Sequence, residues 1–255
     1  MLIQITNTCR MSCPHCMQDS GPAPQHMTME TAQLAHKFAK EAGAHAILIS
    51  GGEPTEHPEW ESIVNLFLDF HGVFIISNGM WIDDEDKTKA MRKFLESGKV
   101  ACQVTSIPGI YPTLVDIARL KALPNVEIHQ GEINMLALGR AATDPHWSAV
   151  ASKSAGTMSC FSSALVSAQL PFKQAILNME MRAKLCKPLV DWQGNLHWSE
   201  SWLCPSFGHV SEDFDTLARK AHEWRPCCKC ADYKKLKDNN SPQYIVAKQI
   251  LFGDR

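Results

Sequence analysis

The chain alternates between short apolar runs and longer segments in which apolar residues recur every three or four positions. The short runs predict strands at 2–6, 45–50, 73–77, 100–106 and 126–135. The longer segments predict helices at 27–42, 60–70, 84–97 and 111–123, and Thr28 supplies the hydroxyl that helix starts prefer. Strands and helices in alternation indicate an α/β fold with a parallel sheet and right-handed crossovers.

Three thiols follow the first strand, where a dinucleotide-binding protein would carry glycines. Cys9, Cys13 and Cys16 lie close together in the sequence, and no Gly-x-Gly-x-x-Gly motif occurs at this place. Three thiolates leave one corner of an iron–sulfur cube without a protein ligand, and the open iron is a site that a small molecule can chelate. A zinc site completed by His15 or by a distant cysteine is the alternative for this spacing.

Two further stretches have a fixed relation to the predicted strands. Gly51, Gly52 and Glu53 follow the second strand, and Ser77 and Asn78 follow the third. Taken alone, the two glycines are typical of a strand-to-helix turn. The segment that contains Cys9, Cys13 and Cys16 is called the cysteine loop below. Together with this loop, and in this order, the motifs resemble those of the radical S-adenosylmethionine (radical SAM) superfamily.

The resemblance implies a fold and a chemistry. The fold is a partial (β/α)6 TIM-like barrel, with its active groups at the C-terminal ends of the strands. Cys9, Cys13 and Cys16 would hold a [4Fe–4S] cluster whose open iron binds S-adenosylmethionine (SAM). Reductive cleavage of SAM would give a 5′-deoxyadenosyl radical that abstracts a hydrogen atom from the substrate.

At the methionine end of SAM, the resemblance implies contacts from Gly51, Gly52 and Glu53. Glycines allow the backbone to approach a ligand, and a carboxylate opposite the SAM ammonium group forms a charge-assisted pair. Arg140 would pair with the SAM carboxylate, or else cap its own loop.

At the adenosine end, the resemblance places His15 near the adenine ring. Ser106, with Ser77 or Asn78, would contact the ribose. The alternative for Ser106 and Asn78 is a purely local role as turn residues at strand ends.

A second set of cysteines begins at Cys186. The alternating segment 189–198 contains a Gln-Gly-Asn turn and predicts a β-hairpin, which would bring Cys186 and Cys204 together. Cys227 and Cys230 add a Cys-x-x-Cys pair, so that four thiolates could complete a second [4Fe–4S] cluster. Structural zinc is the alternative occupant of such a site.

The second set resembles the twitch domain, a shortened form of the SPASM extension found in many radical SAM enzymes. The predicted organisation is a radical SAM core at 1–148, a lid or connecting segment at 149–185 that could complete the barrel, and a small C-terminal iron–sulfur domain at 186–255. Within the middle segment, 149–163 is rich in small residues and predicts a mobile lid, with a tethering linker as the alternative.

Three cysteines remain outside both predicted clusters. Cys102 shares one face of the fourth strand with Val104 and Ser106, which indicates a core position. Cys160 falls in the predicted lid and is a candidate hydrogen-atom donor to the substrate radical, or an incidental thiol. Cys228 lies between Cys227 and Cys230. To bind the same metal group it would have to ligate together with an adjacent residue or with one a single residue away, which is unfavourable.

Composition narrows the class of protein. The formal net charge of −2 over 255 residues provides no basic excess for nucleic acid. No apolar run has membrane-spanning length, and the expectation is a cytoplasmic protein without a signal peptide. Ten cysteines in a cytoplasmic chain favour metal ligation over disulfides.

The expected function is hydrogen abstraction, in the form of oxidation or dehydrogenation, from a small polar metabolite or a peptide side chain. The cysteine spacing and length resemble those of small twitch dehydrogenases that act on aminocyclitols. A reductase such as flavodoxin or ferredoxin would supply the electron. Two alternatives stay open: a ribosomal-peptide maturase that epimerises or crosslinks its substrate, and an iron–sulfur electron carrier without SAM chemistry.

Overall fold

The computed structural model describes residues 1–131, 138–154, 171–181, 188–198 and 202–223. In these residues eight strands form one sheet in the order β5-β4-β3-β2-β1-β6-β7-β8. The strands are β1 Leu2–Thr6, β2 Ala46–Gly51, β3 Gly72–Ser77, β4 Val100–Thr105, β5 Val126–His129, β6 Pro188–Val190, β7 Asn195–Trp198 and β8 Ser206–His209. Strands β1 to β6 run parallel, and β7 and β8 are antiparallel to their neighbours.

Helices connect the parallel strands, and one further helix follows β8. They are α1 Met29–Glu41, α2 Trp60–Leu66, α3 Glu85–Glu96, α4 Ile117–Lys121, α5 Arg140–Thr143, α6 Pro145–Ser154, α7 Phe172–Met181 and α8 Phe214–Glu223, with 3₁₀ turns at Pro54–Glu56 and Met80–Asp83. The start of α1 is confirmed, because the Thr28 hydroxyl accepts the backbone N–H of Thr31. Asp84 caps α3 in the same way. The α/β class and the parallel sheet are therefore as predicted, whereas the partial barrel stays a prediction.

One predicted helix is shorter than expected, and one predicted loop begins with helical residues. The helix expected at 111–123 is reduced to α4, because Asp116 accepts the N–H groups of Ala118 and Arg119 and starts the helix there. The loop expected from residue 149 is wrong for 149–154, which belong to α6. Asp144 caps that helix and Pro145 occupies its first turn, where a missing N–H costs nothing.

Alternation along the strands divides the sheet into two unlike faces. One face is apolar and packs against the helices, and its residues are at most 1% exposed: Ile3, Ile5, Ile47, Ile49, Val73, Ile75, Cys102 and Val104. Cys102 therefore packs in the core, as predicted. The other face carries more polar side chains, among them Ser50 and Gln103. Burial of one face leaves the other free to line a cleft.

The predicted hairpin forms between β6 and β7 and continues the main sheet. Leu189 pairs with His197, and β6 lies parallel to β1 on the side away from β2. The ring of Phe172 in α7 contacts those of Phe38 in α1 and Trp198 in β7 at centroid distances of 6.1 and 5.8 Å. In the described residues, the hairpin thus shares the hydrophobic core of the parallel strands.

Beyond these elements, the described helices include none with the length and apolar character needed to cross a membrane.

The backbone at the end of β2 lies very close to the backbone at the end of β1. The N–H of Gly52 donates to the Thr6 carbonyl at 2.8 Å, and the N–H of Glu53 donates to the Thr8 carbonyl at 2.9 Å. A Cβ on Gly51 would lie 2.1 Å from the Thr6 oxygen, and one on Gly52 would lie 2.2 Å from the Thr8 oxygen. Gly51 also has a φ of +147°, which L side chains avoid. The two glycines are needed for the chain's own backbone to approach itself.

We expect Gly52→Ala to lower the free energy of unfolding by about 1–3 kcal/mol, because the added methyl overlaps the β1 backbone. The matched control is Gly21→Ala, where an added Cβ meets no heavy atom within 4 Å. Urea denaturation followed by circular dichroism measures both variants. Equal midpoints for the two would contradict the proposed close approach.

Candidate functional site

A cleft of about 480 Å³ opens on the polar face of the sheet. Its walls combine the cysteine loop after β1, the turns after β2 and β3, and the start of α5. Predicted site residues that line it are Cys9, Cys13, His15, Cys16, Gly51, Gly52, Ser77, Asn78 and Arg140. Residues up to 131 positions apart in the sequence are thus brought to one cavity by the parallel sheet, whose strand ends meet at one edge.

The three thiols of the loop differ in their surroundings. Cys9 and Cys13 are 8% and 9% exposed, and Cys16 is half-buried. Burial raises the pKa of Cys9 to about 11. Burial and the neighbouring thiols raise the pKa of Cys13 to about 12, although the Arg140 charge acts in the opposite direction. Without metal both thiols are protonated at pH 7, so metal binding must release protons.

Two hydrogen-bond donors reach the sulfur atoms. The Asn78 side-chain amide donates to Cys9 Sγ at 3.7 Å, and the Ser20 backbone N–H donates to Cys16 Sγ at 3.5 Å. The Asn78 carbonyl oxygen accepts the N–H of Met80, which fixes the orientation of the amide. Hydrogen bonds to sulfur are among the features that set the potential of an iron–sulfur cluster.

Arg140 contacts the cysteine loop through its whole polar group. Its side chain donates to the carbonyl oxygens of Cys13 and Ser20 at 2.9 and 2.7 Å and to the Asp19 carboxylate at 3.0 Å. Its backbone N–H donates to the Cys16 carbonyl at 3.1 Å. Arg140 lines the cleft, and all four of these bonds end on the segment 13–20.

The N-terminal part of the loop is held by an acidic side chain. The Glu56 carboxylate accepts the backbone N–H of Arg10 through both oxygens at 3.2 Å, and it pairs with the Arg10 side chain at 3.3 Å. The Glu56 side chain is 7% exposed. Sequence patterns offered no signal for this contact, because the two residues are 46 positions apart.

The Glu53 carboxylate, which was expected to face the SAM ammonium group, is hydrogen-bonded to groups of the protein. Glu53 is 1% exposed and does not line the cleft. Its carboxylate accepts the backbone N–H and the hydroxyl of Thr55, the hydroxyl of Ser77 and the backbone N–H of Asn78, at 2.8 to 3.1 Å. Burial raises its pKa, and these hydrogen bonds act against that shift. Glu53 therefore connects the turn after β2, through Thr55, to the turn after β3, through Ser77 and Asn78.

Ser106 also differs from the expectation of a ribose contact. It is 2% exposed, lies outside the cleft lining, and follows the phase of Cys102 and Val104 toward the core. The opposite phase of β4 places Gln103 and Thr105 in the cleft. These two were missed, although the alternation that identified Cys102 as a core residue carried the signal. His129, Tyr111 and Ser50 are further lining residues that the motif analysis did not name.

His15 packs its ring against two aromatic side chains. The centroid distances are 4.8 Å to Tyr111 and 5.1 Å to Trp147, and His15 is 7% exposed. Burial, and then the Arg140 charge, lower its pKa to about 4, so that the ring is neutral at pH 7. Among the described residues, its Nδ1 has no hydrogen-bond partner. The His15 side chain is among those that line the cleft, although this nitrogen is itself buried.

The donor set allows a test of which metal group the loop fits. A zinc ion needs four ligands gathered at one point. Within the described ranges, no group of three or more His, Cys, Asp or Glu side chains that could hold a metal ion is found. Three soft thiols along the wall of one cleft fit the ligand type of an iron–sulfur cluster, in which each thiolate binds a different iron.

Comparison with known families addresses the same part of the chain. The model of the Radical SAM superfamily matches residues 3–107, which contain the cysteine loop and the turns after β2 and β3. Residues 3–107 are a radical SAM domain. The domain implies a [4Fe–4S] cluster and SAM.

Two known proteins extend the comparison. The 7-carboxy-7-deazaguanine synthase of Aquifex aeolicus (strain VF5) is 29% identical over 105 residues, which are 40% of this chain and 45% of that protein. The match thus spans less than half the length of this curated relative. The structure of native anSMEcpe with bound AdoMet and Kp18Cys peptide superposes on 99% of the chain and 95% of that protein, with 14% identity and a TM-score of 0.53. At this identity the likeness concerns the fold.

The second set of cysteines lies mostly outside the described residues. Cys186, Cys227, Cys228 and Cys230 fall there, as does Cys160. Cys204 is described and is 4% exposed. The twitch domain and its cluster therefore stay predictions beside the radical SAM domain.

We expect Glu53→Gln to lower the free energy of unfolding by about 1–3 kcal/mol, because an amide NH₂ would face N–H and O–H donors in a buried site. Glu59→Gln on the exposed surface is the control and should leave stability unchanged. Urea denaturation measures both. An unaltered midpoint for Glu53→Gln combined with weaker SAM binding would place the carboxylate at the ligand instead.

Proposed function

We propose that the chain is a radical SAM enzyme that abstracts a hydrogen atom from a small polar metabolite or a peptide side chain. The observation that carries this proposal is the convergence of three motifs on one cleft of a radical SAM domain. These are the loop thiols, the glycine turn after β2 and the Ser77-Asn78 turn after β3. An electron carrier would need the thiols but not the two turns.

Cys9, Cys13 and Cys16 would hold a [4Fe–4S] cluster that leaves one iron for SAM. When bound, the cluster and SAM supply one-electron cleavage of a carbon–sulfur bond and thereby the capacity to abstract hydrogen. Asn78 donates to Cys9 Sγ and would make the cluster easier to reduce. A low-potential donor such as flavodoxin or ferredoxin would deliver the electron.

The chain's own groups would also orient SAM. Gly51 and Gly52 line the cleft and would present backbone groups to SAM. His15 lines the cleft and would offer a flat neutral ring to the adenine group. Ser77 and Asn78 line the same cleft and are candidates for the ribose. Ser106 faces the core and is therefore not proposed for that role.

The cleft floor mixes the apolar side chains Leu2, Leu48 and Ile76 with polar ones, and the substrate class rests on the polar ones. Ser50, Gln103 and Thr105 are uncharged and polar, and His129 lies beside them. Such a surface suits a hydroxyl-bearing or amide-bearing substrate. Oxidation is the favoured outcome, and the name of the Aquifex relative also refers to a small molecule.

A ribosomal-peptide maturase is the second candidate. The fold of the chain is like that of anSMEcpe, which was solved with a bound peptide. Epimerisation or crosslinking of a peptide would use the same hydrogen abstraction. Cys160 is the candidate hydrogen donor for an outcome that returns an atom to the substrate.

We expect the single variants Cys9→Ala, Cys13→Ala and Cys16→Ala each to lose cluster iron and to form less than about 1% of the wild-type 5′-deoxyadenosine, because each thiolate is one corner of the site. Anaerobic reconstitution, an iron assay and chromatography of the products provide the measurements. Cys102→Ala is the control and should keep both iron and turnover, since its thiol packs in the core. Wild-type turnover in all three loop variants would refute the assignment.

The same assay separates the candidate functions. Iron without 5′-deoxyadenosine from reduced wild-type protein would favour the electron carrier. Deuterium transferred to 5′-deoxyadenosine from a labelled polyol or amino sugar would favour the small-molecule enzyme. Transfer from a labelled peptide would favour the maturase.

We further propose that Cys186, Cys204, Cys227 and Cys230 hold an auxiliary [4Fe–4S] cluster in a twitch-like C-terminal region. The support is the number and spacing of the thiols, together with the hairpin between the first two. This cluster would accept an electron from the substrate or bind it.

We expect the triple variant Cys9→Ala/Cys13→Ala/Cys16→Ala to retain about four irons per chain, as a complete thiolate shell implies. Cys230→Ala in that background should lose them, whereas Cys228→Ala should not. Iron analysis and Mössbauer spectroscopy of anaerobically prepared protein test this. Zinc in place of iron would overturn the cluster, and equal losses for Cys228→Ala and Cys227→Ala would overturn the ligand assignment.

A further inference from the structure

The cysteine loop has little structure of its own to fix its shape. Residues 9–20 form turns and belong to no helix or strand. Ser12 and Asp19 have φ angles of +48° and +51°, a region that residues other than glycine rarely adopt. A backbone in such conformations persists only where the surrounding structure holds it.

Arg140 provides that support to the half of the loop that contains Cys13 and Cys16. Its side chain donates hydrogen bonds to oxygen atoms of Cys13, Asp19 and Ser20. Its backbone N–H donates to the carbonyl oxygen of Cys16. Four bonds from one residue therefore cover the whole segment from the second thiol to the end of the loop. Two of the acceptors are the carbonyl oxygens of proposed cluster ligands.

The residue before Arg140 makes this approach possible. A Cβ at Gly139 would lie 2.7 Å from the Cys16 carbonyl oxygen and 2.9 Å from the Asp19 nitrogen. Gly139 also has a positive φ of +55°. The start of α5 is thus packed directly on the loop backbone, and the Arg140 side chain continues along it.

The chemistry of the guanidinium group suits the task. Its planar donors point in several fixed directions, so one side chain can bond three separate oxygens, whereas a lysine ammonium is a compact point charge. The acceptors on Asp19, Ser20 and Cys13 are all oxygen atoms of the protein, so these bonds need no atom of a cluster.

We propose that Arg140, with Asp19 as its charged partner, is a positioning residue that holds Cys13 and Cys16 in their ligating arrangement before the cluster binds. The role deepens the proposed function and rests on it only in so far as the loop carries a cluster. It differs from the expected pairing of Arg140 with the SAM carboxylate, because three of the five guanidinium N–H groups, one on each nitrogen, donate within the protein.

The direct test is hydrogen–deuterium exchange of the metal-free protein, read on peptides that cover residues 9–20. We expect Arg140→Ala to raise exchange there about tenfold or more, since charge-assisted hydrogen bonds are lost. Arg140→Lys should raise it nearly as much because the fork of donors is gone. Arg119→Ala is the matched control: that arginine pairs with Asp83 on the surface, away from the loop, and should cause no change in these peptides.

Asp19→Asn provides a variant that should fold under all circumstances. The residue is 53% exposed at its side chain, and asparagine tolerates a positive φ as well as aspartate does. We expect a smaller rise in exchange than for Arg140→Ala, confined to the second half of the loop. Urea midpoints measured in parallel separate this local loosening from global unfolding.

A second readout uses the metal. After anaerobic reconstitution, a ferrous chelator should remove iron several-fold faster from Arg140→Lys than from wild type or Arg119→Ala. Wild-type protein that takes up no iron would refute the proposed function but leave the exchange result standing. Wild-type exchange and wild-type iron loss in both Arg140 variants, with only SAM binding weakened, would overturn the positioning role.

Discussion

A loop without regular secondary structure has to present three thiols to one cleft, and this constraint explains much of the surrounding structure. Contacts from four directions hold the loop. Glu56 binds its first half through the Arg10 backbone, Arg140 binds its second half, and the Trp202 indole donates to the Gln18 carbonyl at 2.7 Å. The fourth contact is the Asn78 amide on Cys9. Rigid elements thus supply the order that the loop sequence lacks.

The sheet provides the frame on which these supports are mounted. Its apolar face is sealed by helices and fixes the strand ends relative to one another. At those ends, Gly51 and Gly52 let the backbone of β2 lie in contact with the backbone at the end of β1. Glu53 connects this contact to the turn after β3 by hydrogen bonds. A buried carboxylate with all its acceptors used is rigid and expensive to disrupt. The precision of the cleft therefore depends on residues that do not face it.

Electrostatics in the cleft follow from the same arrangement. Burial favours the neutral thiol and the neutral imidazole, which gives Cys13 a raised pKa and His15 a lowered one. The Arg140 charge favours the thiolate and disfavours the imidazolium. A cluster with three thiolate ligands would carry negative charge, so a fixed cation beside it stabilises the ligated state relative to the metal-free one.

Local sequence determined the features that depend on near neighbours. Side-chain alternation and helical spacing predicted strands β1 to β5, the hairpin of β6 and β7, helices α1 to α4 and the core position of Cys102, because burial of one face imposes a period on the chain. The cysteine spacing and its two companion turns indicated the radical SAM domain. Tertiary structure alone decided the partners of Glu53 and Arg140, since the Arg140–Cys13 bond joins residues 127 positions apart. It also placed β6 beside β1. No local pattern encodes such choices, because the direction of a polar side chain is set by the donors and acceptors that folding brings within reach.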